Sequence, residues 1–136
     1  MIVCVPVTPV GEIDPRWGRA ARVAIAEVDD GAIARWDEID VGWDALHDAG
    51  SEGGHHARVA RFLKEQGTEV VVAHHMGDPM LQMLAAMGVQ VRLGASGDAR
   101  GAVLAVTAAR AETYGLLPRR RDQRSTATAA PVAADS

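Results

Sequence analysis

The stretch that decides the fold is Ala20-Ala21-Arg22-Val23-Ala24-Ile25-Ala26-Glu27-Val28-Asp29-Asp30-Gly31-Ala32-Ile33-Ala34-Arg35-Trp36-Asp37-Glu38-Ile39. Val23 and Ile25 fall on one side of an extended chain, as a half-buried strand requires, and Asp29-Asp30-Gly31 supplies turn chemistry. The spacing predicts a hairpin with strands from about Ala20 to Val28 and from Ala32 to Ile39, with Ile33 facing the core and Trp36 the opposite side. Upstream, Ile2 to Val7 is a largely β-branched run punctuated by Pro6 and Pro9, the signature of a buried strand that runs into a loop. Together the three strands make an antiparallel meander.

Downstream, Val41 to Gly54 is rich in Asp, Gly and Ser without apolar periodicity, and reads as a surface loop. A helix is expected from about His55 to Gln66, with Val59, Phe62 and Leu63 inward, Arg58, Arg61 and Lys64 in water, and Gly67 as its stop. Glu69 to Ala73 reads as a short buried strand. Asp78-Pro79 reads as an N-cap acid with proline at the first helical position, followed by the core stripe Met80, Met83, Leu84 and Met87. Val89 to Leu93 is the last strand. Ser96 or Asp98 caps a final helix whose Ala99, Ala102, Val103 and Val106 point inward. From Pro118 the chain turns to Arg119-Arg120-Arg121 and then to aperiodic Ser, Thr, Ala and Pro, so the expectation is one folded domain over residues 1–116 and a disordered tail over 117–136.

The order βββαβαβα with short connections predicts an α/β fold with a mixed five-stranded sheet. The chain has 136 residues, 48% of them hydrophobic, enough for a core without disulfides or a structural metal. A net charge of −4 offers no broad attraction for nucleic acid or anionic membrane, and one Phe and one Tyr leave little for base stacking. The single cysteine, Cys4, excludes a disulfide framework within the chain and reads as a buried, inert thiol in a reducing, cytoplasmic setting. The N-terminal apolar run has no basic leader and reads as a strand, not an export signal or a span.

In such a sheet the first, third, fourth and fifth strands end on one edge, where ligands of open α/β sheets bind. The loops on that edge are Val7 to Gly11, Val41 to Gly54 leading into His55-His56, His74 to Asp78, and Gly94 to Asp98. Three helix N-termini aim amide donors there, which favours an anion. Neighbouring histidines cannot both point one way, so at most one of each pair is a ligand candidate. Catalytic signatures are missing: no phosphate-binding loop, dinucleotide fingerprint, zinc-protease helix or nucleophile elbow occurs, and the first strand lacks the acid that two-metal nucleases need.

The segments His56-Ala57-Arg58-Val59-Ala60-Arg61-Phe62-Leu63, His75-Met76-Gly77 and Gly94-Ala95-Ser96-Gly97-Asp98-Ala99-Arg100, together with Trp17-Gly18-Arg19-Ala20, resemble the dinitrogenase iron–molybdenum cofactor biosynthesis domain family over about residues 1 to 110. That resemblance implies a ribonuclease H-like three-layer α/β/α domain. It also implies a non-catalytic carrier that binds and delivers an anionic metal–sulfur cluster, the iron–molybdenum cofactor or a relative, in exchange with donor or acceptor proteins. On this reading His56 and His75 are cluster and metal ligands. Amides around Gly77, Gly97 and Asp98 hold the anionic surface, with Asp98 mainly a helix cap, and Arg19 and Arg100 neutralise charge. The expected partners include neither nucleic acid nor membrane, and the expected state is a monomer or weak homodimer. Two alternatives stay open: a regulatory or interaction module that binds a small oxyanion or a partner protein at the same edge without metal, and an enzyme built on a histidine-held metal.

Overall fold

The computed structural model describes residues 1–46 and 52–115, with side chains over 1–46 and 53–108. The chain divides into two compact units, Met1–Leu104 and Ala105–Ser136. The first carries the whole sheet. The expected tail from residue 117, with its arginine cluster, lies outside the described residues.

The meander is built as the alternation requires. Strand β1 (Ile2–Val7) pairs antiparallel with β2 (Arg22–Asp29), and β2 with β3 (Ala32–Asp40). Asp30 and Gly31 join the last two with φ of 53° and 76°, the left-handed pair that matches the twist of a two-residue hairpin. Strands β4 (Val70–Val72) and β5 (Gln90–Arg92) add in parallel beside β1, so the order across the sheet is β3-β2-β1-β4-β5. Strands β1, β3, β4 and β5 therefore end on one edge, as expected. The helices are α1 (Trp43–Leu46), α2 (Glu52–Gln66), α3 (Asp78–Ala86) and α4 (Ala99–Gly115). The fold is α/β with a mixed five-stranded sheet.

Both sheet faces are covered, and the pleat says by what. Cys4, Val23, Ile25 and Val71 share one face and form a single core cluster with Val59 and Leu63 of α2 and Met80 and Leu84 of α3. Val3, Val5, Ala24 and Ala26 point the other way and are equally buried, as are Ala99 and Val103 of α4. Trp36 lies opposite Ala26 in the register, and Arg100 of α4 sits 4.5 Å from its ring centroid, which places α4 on that second face. Helices α2 and α3 thus share one layer, and the start of α4 belongs to the other.

Three expectations are corrected. Trp43, in the segment read as a surface loop, is 1% exposed in the one-turn helix α1, because its indole fills the gap between the turn at Trp17 and helix α2; residues 47–51 of that segment lie outside the described residues. Ile33 and Trp36 lie on the same face, since Ile33 opposes Val28 and Trp36 opposes Ala26, and an irregularity between Glu27 and Val28 adds one residue to β3. The N-cap of α3 is Gly77, with extended backbone and no side-chain cap, so Asp78 is the first helical residue and Pro79 the second. Asp98, by contrast, caps α4 as expected: its Oδ2 accepts the Gly101 amide at 2.7 Å.

Candidate functional site

At the edge where β4 ends, three segments enclose a cavity of about 250 Å³. One wall is the irregular chain from Pro15 to Arg19, whose last three residues form a single 3-10 turn. The second is the first turns of α2, with His55 and His56. The third is the turn from His75 to Gly77 and the start of α3, with Pro79 and Met80. The amide end of α3 opens here because Gly77 is its cap, while Pro79 removes a donor that the first turn could not use.

The walls are held by a histidine that is structural. His55 is 3% exposed; its Nε2 donates to the Gly18 carbonyl at 2.8 Å and its Nδ1 accepts from Arg58 Nη1 at 2.8 Å, so the ring is neutral and its tautomer is fixed by both partners. Arg58 Nη1 also donates to the Leu46 carbonyl at 3.3 Å, tying α1 to α2. Arg58, expected in water, is accordingly half-buried. Behind His55, Trp43 stands edge-on to Trp17, His55 and Phe62, with centroids 5.3, 6.4 and 5.7 Å apart. Trp17 keeps its buried Nε1–H without a hydrogen-bond acceptor.

Electrostatically the cavity is one-signed. Its lining holds two arginines and three histidines and no carboxylate. Arg16 is partly neutralised from outside the cavity by Asp14, to which Nε and Nη2 each donate at 3.1 Å. Arg19, at the end of the 3-10 turn, is exposed.

The structure brings His56, His75, Gly77 and Arg19 together in this lining. It does not bring Gly97, Asp98 or Arg100 there. The Gly97 carbonyl accepts from the Ile13 amide at 2.8 Å, and Asp98 bridges Glu12, which ties their turn to the loop after β1. Arg100 stacks on Trp36 across the other sheet face. Sequence reasoning missed Arg16, Trp17 and Gly18 as wall residues, although Trp17-Gly18-Arg19 stood among the familiar segments. It also assigned Met76 no role and Met80 only to the core. Among the described residues no three of His, Cys, Asp and Glu converge closely enough to hold a metal ion, and no helix is long and apolar enough to cross a membrane. Burial pushes the Cys4 thiol far above its ordinary range, in keeping with an inert mid-strand cysteine.

An α/β domain with a positively lined cavity at its carboxyl edge is the class these features define. The chain belongs to the dinitrogenase iron–molybdenum cofactor family, whose model matches residues 1–109. No curated protein matches it. Among solved structures it resembles PH0822, at 15% identity and a TM-score of 0.64 over 80% of this chain and 91% of the other. It also resembles the apo form of the orange protein from Desulfovibrio gigas, at 22% identity and a TM-score of 0.59 over 88% and 92%. A putative NifB protein from Thermotoga is similar at 20% identity and a TM-score of 0.60 over 80% and 89%. At these identities the likeness is one of fold.

Proposed function

We propose that the chain is a non-catalytic carrier that takes up an anionic metal–sulfur cluster, of the kind its family's description names, and hands it to another protein. The observation that carries this reading is the cavity lining: two arginines, three histidines and the amide end of α3, with no acid among them. Positive side chains and a helix N-terminus favour negative charge at close range, and imidazoles supply borderline-soft ligands to a cluster metal. His55 is committed to Gly18 and Arg58, which leaves His56 and His75 as the ligand candidates and Arg19 as the charge partner. Gly97, Asp98 and Arg100 lie outside the lining of this cavity.

The test is anoxic loading of the whole chain with a metal–sulfur cluster, followed by visible absorption and metal analysis. Replacing both His56 and His75 by Ala abolishes uptake on this reading. Uptake unchanged in the folded double variant refutes the ligand assignment. A second reading is favoured by the shortfall of converging His, Cys, Asp and Glu among the described residues: a regulatory module that takes a small oxyanion at the same place without metal. A protein that stays metal-free when offered a cluster, yet binds an oxyanion in competition with salt, supports that second reading.

A further inference from the structure

Strand β5 is an outermost strand of the sheet, and the hydrogen bonds on its inner side fix what its outer side offers. The Gln90 amide donates to the Glu69 carbonyl at 3.0 Å, and the Arg92 carbonyl accepts from the Ala73 amide at 2.9 Å. A trans peptide points its carbonyl and its amide in opposite directions, so the Val89 carbonyl and the Leu93 N–H aim away from β4. The alternation of a parallel ladder sends both backbone groups of Val91 the same way. Val89 and Val91 belong with the core cluster of α2 and α3, Leu93 shares their side by the pleat, and Gln90 and Arg92 take the other. Among the described residues, the large apolar side chains that stay exposed include Met87, at 36%, and Leu93, at 46%, one on each flank of β5.

About Val91, the segment Val89-Gln90-Val91-Arg92-Leu93 has the same chemistry in either direction: apolar, polar, apolar, polar, apolar. We propose that β5 pairs antiparallel with β5 of a second copy of this chain about a twofold axis at Val91, which continues the sheet from one protomer into the other. Val91 then exchanges both backbone hydrogen bonds with its counterpart, and each Leu93 N–H donates to the Val89 carbonyl across the axis. On the apolar side Leu93 faces Val89 of the other protomer, which covers its exposed surface. On the polar side each Arg92 stands opposite a neutral Gln90 and not opposite the other Arg92; the same two side chains already bond along one strand at 3.4 Å. The segment holds no acid and no proline, so neither like charge nor a missing donor opposes the pairing. This self-complementary register selects a second copy over an unrelated strand. The surface is small, one short strand and its flanks, so the dimer forms and dissociates reversibly. It depends neither on the cavity nor on its cargo.

Sedimentation equilibrium of the full chain, from low to high micromolar concentration, shows a reversible monomer–dimer equilibrium. Leu93→Lys alters an exposed side chain and leaves the circular dichroism unchanged; the twofold axis repeats the change, and the dissociation constant rises about 10-fold. Cysteines read the register independently. Residues opposed in the pairs next to a doubly hydrogen-bonded pair bring their Cα atoms to about 4.5 Å, within disulfide reach. An equimolar mixture of the Gln90→Cys and Arg92→Cys proteins, treated with oxidised glutathione, therefore gives a mixed disulfide dimer faster than either protein alone forms its own. Cys4 is fully buried and stays out of that reaction. A wild type that stays monomeric throughout overturns the proposal and leaves the strand to a partner of another kind. A dimer unaffected by Leu93→Lys, or a mixed disulfide that forms no faster than the others, overturns it as well, because either places the contact elsewhere.

Discussion

Replacing Cys4 by Ala should make the protein less stable at neutral pH and no less stable in alkali. Cys4 sits in β1 between Ile25 of β2 and Val71 of β4, has no exposed surface, and its thiol is held neutral by desolvation. In the unfolded chain the same thiol ionises at its ordinary value near 9. Above that value the unfolded state has lost a proton that the folded state keeps, so stability falls as pH rises and is fully present below it. The linkage slope approaches about 1.4 kcal/mol per pH unit, which amounts to about 1.5 kcal/mol between pH 8 and pH 10. Loss of the sulfur at a buried site costs about 1 kcal/mol at pH 7. The stability curves of wild type and Cys4→Ala should therefore cross near pH 10. Urea unfolding of both proteins in reductant, from pH 7 to pH 10, measures the difference and cancels the titration of every other group. A difference that does not change with pH would refute the claim that the buried thiol stays protonated in the fold.

Trp43→Ala should cost about 3–5 kcal/mol in urea unfolding, since it empties the space between Trp17, His55 and Phe62. A loss below about 1 kcal/mol would show that α1 is not part of the core. Asp98→Ala should cost about 1 kcal/mol by removing the cap on the Gly101 amide, with ligand binding at the cavity unchanged. His55→Ala strands the Gly18 carbonyl and takes one of its acceptors from Arg58, and should cost about 1–3 kcal/mol in the same assay, together with weaker ligand binding through a loosened wall. Unaltered binding in that variant would mean the wall does not depend on this latch.

The parts of the fold legible in the sequence are those in which local chemistry and tertiary need agree. Asp30 and Gly31 accept left-handed backbone cheaply, so the hairpin they make could be placed from composition alone. Val59 and Leu63 repeat at helical spacing and are buried where the pattern put them. Trp43 had no such signal: a one-turn helix is too short to show a period, and a single tryptophan among Asp and Gly reads as loop. The extra residue in β3 that brings Ile33 and Trp36 to one face leaves no mark in side-chain alternation, because it alters the count between strands and not the residues within one. The site divides for a related reason. Shared strand direction places four loops on one edge, but it does not say to which side of the sheet each following helix turns. Helices α2 and α3 turn to the side of Cys4, so His56, His75 and Gly77 meet; α4 starts on the side of Val5, and Gly97, Asp98 and Arg100 go with it.

The margin formed by β3 also bears on how copies of this protein coexist. Among the described residues, the nine residues of β3 have no strand on their outer side, and a sheet border of that kind invites another molecule to add a strand. Here the charged side chains of β3 are engaged in ionic pairs, Glu38 and Asp40 with Arg22 of β2, and Arg35 with Asp37 and with Glu27 of β2, and the register is interrupted near the hairpin end. An incoming strand would have to displace or desolvate these charges and follow the interruption. That makes the border a poor template for an added strand.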